Sequence, residues 1–173
     1  MSNPKHQEPS MTNLSSVEFM TAAELATQAP LGAVIRFSDF TPEPPIRFKR
    51  KHAEWSRNNS TGRLISVRTG KADSETTITL HMGDYGAHGV IVISTRKTFL
   101  GLSSLGFAIL EHPAAGSVGI ITKHGTECEL LHLAPSQKQA QDWLASNPHQ
   151  TASLQTYPLQ GNAQPRATNP NRE

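Results

Sequence analysis

The sequence predicts a mainly β domain of the α+β type: a small antiparallel barrel or strongly bent sheet of about six to seven strands with short flanking helices. Three observations predict it. Short apolar segments alternate with a period of two, as in Ala33, Ile35 and Phe37 interleaved with Val34, Arg36 and Ser38. Clusters of Gly, Asp and Pro separate these segments at spacings too short for parallel crossovers, which need a dozen or more residues. Helical signals are few, short and capped. A two-layer α+β sandwich is the alternative arrangement of the same elements.

In chain order, residues 1–16 are rich in Pro, Gln, Ser and Asn and read as a disordered tail, because they cannot bury enough surface to offset chain entropy. Residues 17–149 form the single β-rich globular unit. The run Thr21-Ala22-Ala23-Glu24 is a capping box, Met20 and Leu25 supply the hydrophobic staple, and Pro30 ends a helix of about two turns. A strand follows from Leu31. The prolines Pro42, Pro44 and Pro45 then exclude a central strand and favour a stiff connector.

Further strands are expected over 63–69, 76–82, 89–95, 105–111 and 118–122, the last running on towards 127–133. Turns are expected at Gly70 to Ser74, at Gly83-Asp84-Tyr85-Gly86 and at His112-Pro113. Ser136 caps a final helix that carries Ala140, Trp143 and Leu144 on one face and stops at Asn147-Pro148. Residues 150–173 read as a second disordered tail.

Composition narrows the function classes. The net charge of +2 gives the molecule no strong overall field, so any electrostatic recognition must be local. Cys128 is the only cysteine, which excludes an internal disulfide and fits a reducing, cytoplasmic setting. Neither a secretory signal nor a membrane span is legible, and no cofactor is implied. His124, Cys128 and His132 recur every four residues, but Gly125 interrupts a helix there, and on a strand Cys128 and His132 stand about 13 Å apart, too far for one zinc ion. The sequence therefore predicts no metal site.

The most informative segment runs from Ile46 to Arg68. Between Arg36 and Arg68 eight basic residues face three acidic ones, a local excess of five in a chain whose total is +2. Phe48, His52 and Trp55 fall on one face if residues around 48–56 are helical, so Phe48 and Trp55 are expected to point inward as core anchors while the cations stand outward. A face of this kind can neutralise phosphates, and an aromatic that escapes the core can stack on an unpaired base. The leading expectation is a non-enzymatic binding module, nucleic-acid-binding or regulatory, in which Lys49, Arg50, Arg57, Arg63 and Arg68 contact DNA or RNA. The alternative is an adaptor or inhibitor docking on another protein, either through an acidic partner surface or through a sheet edge or the Pro42 to Pro45 loop.

Enzymatic readings are weaker. Ser94 precedes Lys97 by three residues but at a strand end rather than a helix start. A site around Tyr85, His88 and Cys128 requires those groups to converge in one pocket.

Overall fold

The computed structural model describes residues 18–87 and 90–158, with side chains at all of these except 85–87 and 90–92. Eight strands form one antiparallel sheet: β1 (Val34–Ser38), β2 (Ser60–Arg68), β3 (Thr77–Ala87), β4 (Val90–Leu100), β5 (Gly106–Glu111), β6 (Val118–His124), β7 (Glu127–Ala134) and β8 (Ala152–Thr156). Three helices accompany them, α1 (Ala22–Gln28), α2 (Lys49–Ser56) and α3 (Gln137–Ser146). No helix among the described residues is long and apolar enough to cross a membrane.

The main path of the sheet is β4-β3-β2-β7-β6-β8, and β1 with β5 branches from β2. The branch arises because one edge of β2 serves two partners in succession. Its first half, Ser60 to Arg63, pairs with β1, and its last three residues, Ser66 to Arg68, pair with β7. Between them the register slips at Ile65, and β7 slips at Leu131, so the sheet splits where the two bulges face each other. The expected barrel is not formed: among the described residues the sheet stays open, ending on β4 and β8, because β2 spends its edge on two separate arms.

Alternation places the core as the sequence implies. Ala33, Ile35 and Phe37 are fully buried, together with Leu64, Ile78, Leu80 and Phe107. Helix α1 covers this face with Ala22 and Leu25, held by the reciprocal Thr21 and Glu24 bonds of the capping box. Replacing Thr21 by Ala is expected to cost about 1 kcal/mol, read as a lowered denaturant midpoint with unchanged slope. Helix α3, capped by Ser136, packs Ala140, Trp143 and Leu144 on the opposite side of β6 and β7, so β6 is buried on both faces. The Trp143 indole lies parallel to the His132 imidazole, ring centres 5.1 Å apart.

Three expectations are corrected. The stretch Gly83 to Gly86 is not a turn, because β3 continues through it to Ala87 paired with β4, a slip at Met82 absorbing the irregularity; the expected tip, including His88, lies outside the described residues. Residues 152–158 are not tail. Strand β8 pairs with β6 from Val118↔Thr156 to Thr122↔Ala152, and Tyr157 is buried behind it. Its five residues have little apolar weight of their own, so their order comes from the free edge of β6 and from Tyr157. Residues 159–173 of that predicted tail, like residues 1–17, lie outside the described residues.

The third correction concerns the aromatics. Phe48 is 46% exposed, Trp55 is half-buried, and neither joins the core. The strands already fill that space with Phe37, Phe99 and Phe107, whose rings meet in a chain of tilted and edge-on contacts with centres 5.0 and 5.1 Å apart.

Candidate nucleic-acid interface

The prolines at 42, 44 and 45 carry the chain out of β1, and α2 begins where they end. The helix contains no buried residue. Polar bonds fasten it instead. The Ser38 hydroxyl donates to Asn59 Oδ1 at 2.6 Å, and Asn59 Nδ2 donates to Asp39 Oδ1 at 2.7 Å and to the Trp55 carbonyl at 3.1 Å. Trp55 Nε1 donates to the Thr41 carbonyl at 2.9 Å, which ties the helix to its own incoming loop. His52 Nε2 lies 3.0 Å from Glu43 Oε1 in the same loop. On the exit side, Lys97 Nζ donates to the Arg57 carbonyl while resting over the Phe37 and Phe99 rings. Partial burial there lowers the Lys97 pKa.

This docking leaves the apolar and cationic groups of the segment in solvent. Ile46 is 76% exposed, and the Arg47 guanidinium and the Lys51 ammonium sit 4.9 and 5.8 Å from the centre of the Phe48 ring. Lys49, Arg50 and Lys51 form the first turn of α2, which has neither a capping side chain nor an acidic residue. Cations there oppose the helix dipole, so they are placed at a cost to the helix itself. Arg50 pairs with Glu54, both exposed, a contact worth little in water. From Ile46 to Arg57 five basic residues stand against one acidic one.

Of the five residues expected to contact a polyanion, three lie at α2 and two along β2. Lys49 and Arg50 lie at the start of α2, and Arg57 follows its end. Arg68 closes β2, eight residue steps from Ser60, which at the rise of a strand is about 26 Å away. It borders an open polar depression with Lys71 and Glu75. Arg63 stands midway, its Nη1 donating to the Gly32 carbonyl at 2.6 Å. A run of charge that is contiguous in sequence is thus distributed along a strand. Arg47 and Lys51, omitted from the expected set, belong with the α2 group, and their position beside Phe48 was the signal for them.

The family model for Uncharacterised conserved protein UCP036055 matches residues 20–158. The chain belongs to this family. No curated protein and no solved structure matches it. The matched span opens at Met20, whose backbone bridges to Phe107, and closes just past Tyr157, so this UCP036055 domain includes β8.

The enzymatic candidates fall only partly within the described residues. Cys128 packs half-buried against the core, the side chain of Tyr85 and all of His88 lie outside the described residues, and Lys97 is engaged by the Arg57 carbonyl. Ser94 stands beside Asp84, which bonds His81 at 2.8 Å. The order is serine, carboxylate, imidazole, which differs from a relay in which the imidazole itself takes the serine proton.

Asp39 is the titratable anchor of the α2 loop. The Thr41 hydroxyl, then the Asn59 amide and the Thr41 N–H, hold its pKa down to about 2. A depressed carboxylate stabilises the fold above its unfolded value of 3.8 and loses that contribution as pH falls through about 2. Carboxyl chemical shifts of Asp39 followed from pH 5 downward are expected to titrate near 2, with the Trp55 indole signal shifting in the same window.

Proposed function

We propose that this domain is a non-enzymatic nucleic-acid-binding module that works through α2 and the loop before it, with Arg47, Lys49, Arg50, Lys51 and Arg57 on phosphates and Phe48 available to a base. The observation that carries the proposal is Phe48, half-exposed with two cations near its ring at the uncapped start of a helix that has no fully buried residue. An aromatic flanked by cations suits an unpaired base with its phosphates better than a duplex, whose bases are already stacked. Single-stranded RNA or DNA is therefore the expected ligand, bound with little sequence preference.

Adaptor binding through a sheet edge is the second reading, and β4 is one of the terminal strands that offer it. Ile93 and Leu100 are exposed there, but Arg96 and Lys97 stand between them, and charged edge residues oppose strand addition.

Fluorescence anisotropy of the full chain with labelled random 12-mers, single- and double-stranded, in a salt series tests the proposal. Tighter binding to the single strand that weakens steeply with salt is the expected result. Affinity independent of salt, or none for any oligonucleotide at low salt, refutes it.

A further inference from the structure

A second feature, independent of α2, lies on the opposite side of the sheet from α1. Where β2 parts from β7 there is a cleft of about 340 Å³, within the range of small-ligand sites. Three register slips meet around it, at Ile65 on β2, Met82 on β3 and Leu131 on β7. Bulges re-aim side chains and recur beside binding sites.

The charges of the cleft are unusual for a sheet surface. Arg63 of β2 is the cross-strand partner of His81 on β3, and His81 is the partner of Arg96 on β4. Two permanent cations, Arg63 and Arg96, thus flank His81 in one row across three strands, with neighbouring Cα atoms about 5 Å apart. Asp84 Oδ1 lies 2.8 Å from His81 Nε2, and Glu129 offsets the charge of Arg96 at 3.2 Å. Among the described residues Arg63 is bonded to a neutral carbonyl and paired with no carboxylate, so one of its five N–H groups is occupied and its charge is not offset. Ile65 and Leu131 supply an apolar wall beside this row.

We propose that the cleft binds a small organic oxyanion, a carboxylate or phosphate head on a short apolar body, with the head on Arg63 and Arg96 and the body against Ile65 and Leu131. The anion completes the row: it supplies the charge that Arg63 lacks, and it competes with Glu129 for an Arg96 whose surface pair is cheap to exchange. The cleft is too small for an oligonucleotide chain.

The test is an NMR titration of the full chain with hexanoate, butyl phosphate, inorganic phosphate and, as a cationic control, hexylamine. Saturable shifts of the His81 ring and Leu131 methyl signals are expected with hexanoate or butyl phosphate, and whichever binds tighter identifies the head group. Inorganic phosphate, lacking the apolar body, is expected to bind more weakly than butyl phosphate. Arg96→Gln is expected to weaken binding about tenfold or more, the loss of one charge-assisted bond. Arg63→Gln is expected to do the same; since it also releases the Gly32 carbonyl, its result counts only where its melting curve is cooperative, and the exposed Arg96 carries the test otherwise. Lys49→Ala with Arg50→Ala is expected to leave these affinities unchanged. The proposal is overturned if neither organic anion saturates by tens of millimolar, if hexylamine binds as well, or if Arg96→Gln binds like the parent.

Discussion

Tyr157→Ala is expected to lose about 3–5 kcal/mol of stability, the usual cost of emptying a buried aromatic site. The residue lies in a stretch that reads as tail, yet it closes the molecule. Its hydroxyl donates to the Leu31 carbonyl at 2.6 Å, across 126 positions of chain. Its N–H donates to the Ser117 carbonyl, and its own carbonyl accepts from Gly116. The ring lies so close over β6 that a Cβ at Gly119 would stand 2.8 Å from the hydroxyl oxygen, which is why glycine occupies that strand position. Tyr157→Phe isolates the hydroxyl: it leaves the Leu31 carbonyl without this donor, at a cost of about 1–3 kcal/mol. Burial pushes the Tyr157 pKa up to about 12. With the folded value above the unfolded one, its stabilisation is complete below about pH 10 and is lost as pH rises through 12. Urea unfolding of parent, Tyr157→Phe and Tyr157→Ala at pH 7 checks the order of the three midpoints. A Tyr157→Ala variant as stable as the parent would remove β8 from the cooperative unit.

Changing Lys49, Arg50 and Arg57 together to Ala is expected to weaken single-strand binding about a hundredfold at 0.1 M salt. Each lost phosphate contact lowers the logarithmic salt slope by about 0.7 on a single strand, so three lower it by about 2, and the two proteins converge near 1 M. Phe48→Ala is expected to remove about 1–3 kcal/mol of stacking with no change in slope. The two signatures separate electrostatic from aromatic contributions in one experiment. Stability is expected to change little in either variant, since α2 buries no residue. Arg68→Ala serves as the internal control, because that residue stands at the far end of β2 from α2. Equal losses from Arg68→Ala and from the α2 substitutions would show a diffuse cationic effect rather than a site.

The basic stretch shows how far a charge count carries. Its excess of cations is real, but a strand of nine residues carries Arg63 and Arg68 away from the helix that holds Lys49 and Arg50. Only the strand direction distinguishes a patch from a line. Phe48 and Trp55 depart from their expected burial for a related reason. Helical spacing placed them together on one face, and the inference that this face is buried required knowing how much core volume remained. Phe37, Phe99 and Phe107 had already taken it.

By itself the sequence determined what depends on near neighbours. The capping box at Thr21, the cap at Ser136, the alternation of Ala33, Ile35 and Phe37 and the stops at Pro30 and Pro148 are set by contacts within a few residues, and each stands where its pattern puts it. Tertiary structure alone decided the split of β2 between two partners, the cleft that opens there, the capture of β8 and the exposure of Phe48. These depend on edges and volumes contributed by residues up to 126 positions apart. A period of two states which face of a strand is apolar. It does not state which strand comes to pair beside it, or whether space remains when it does.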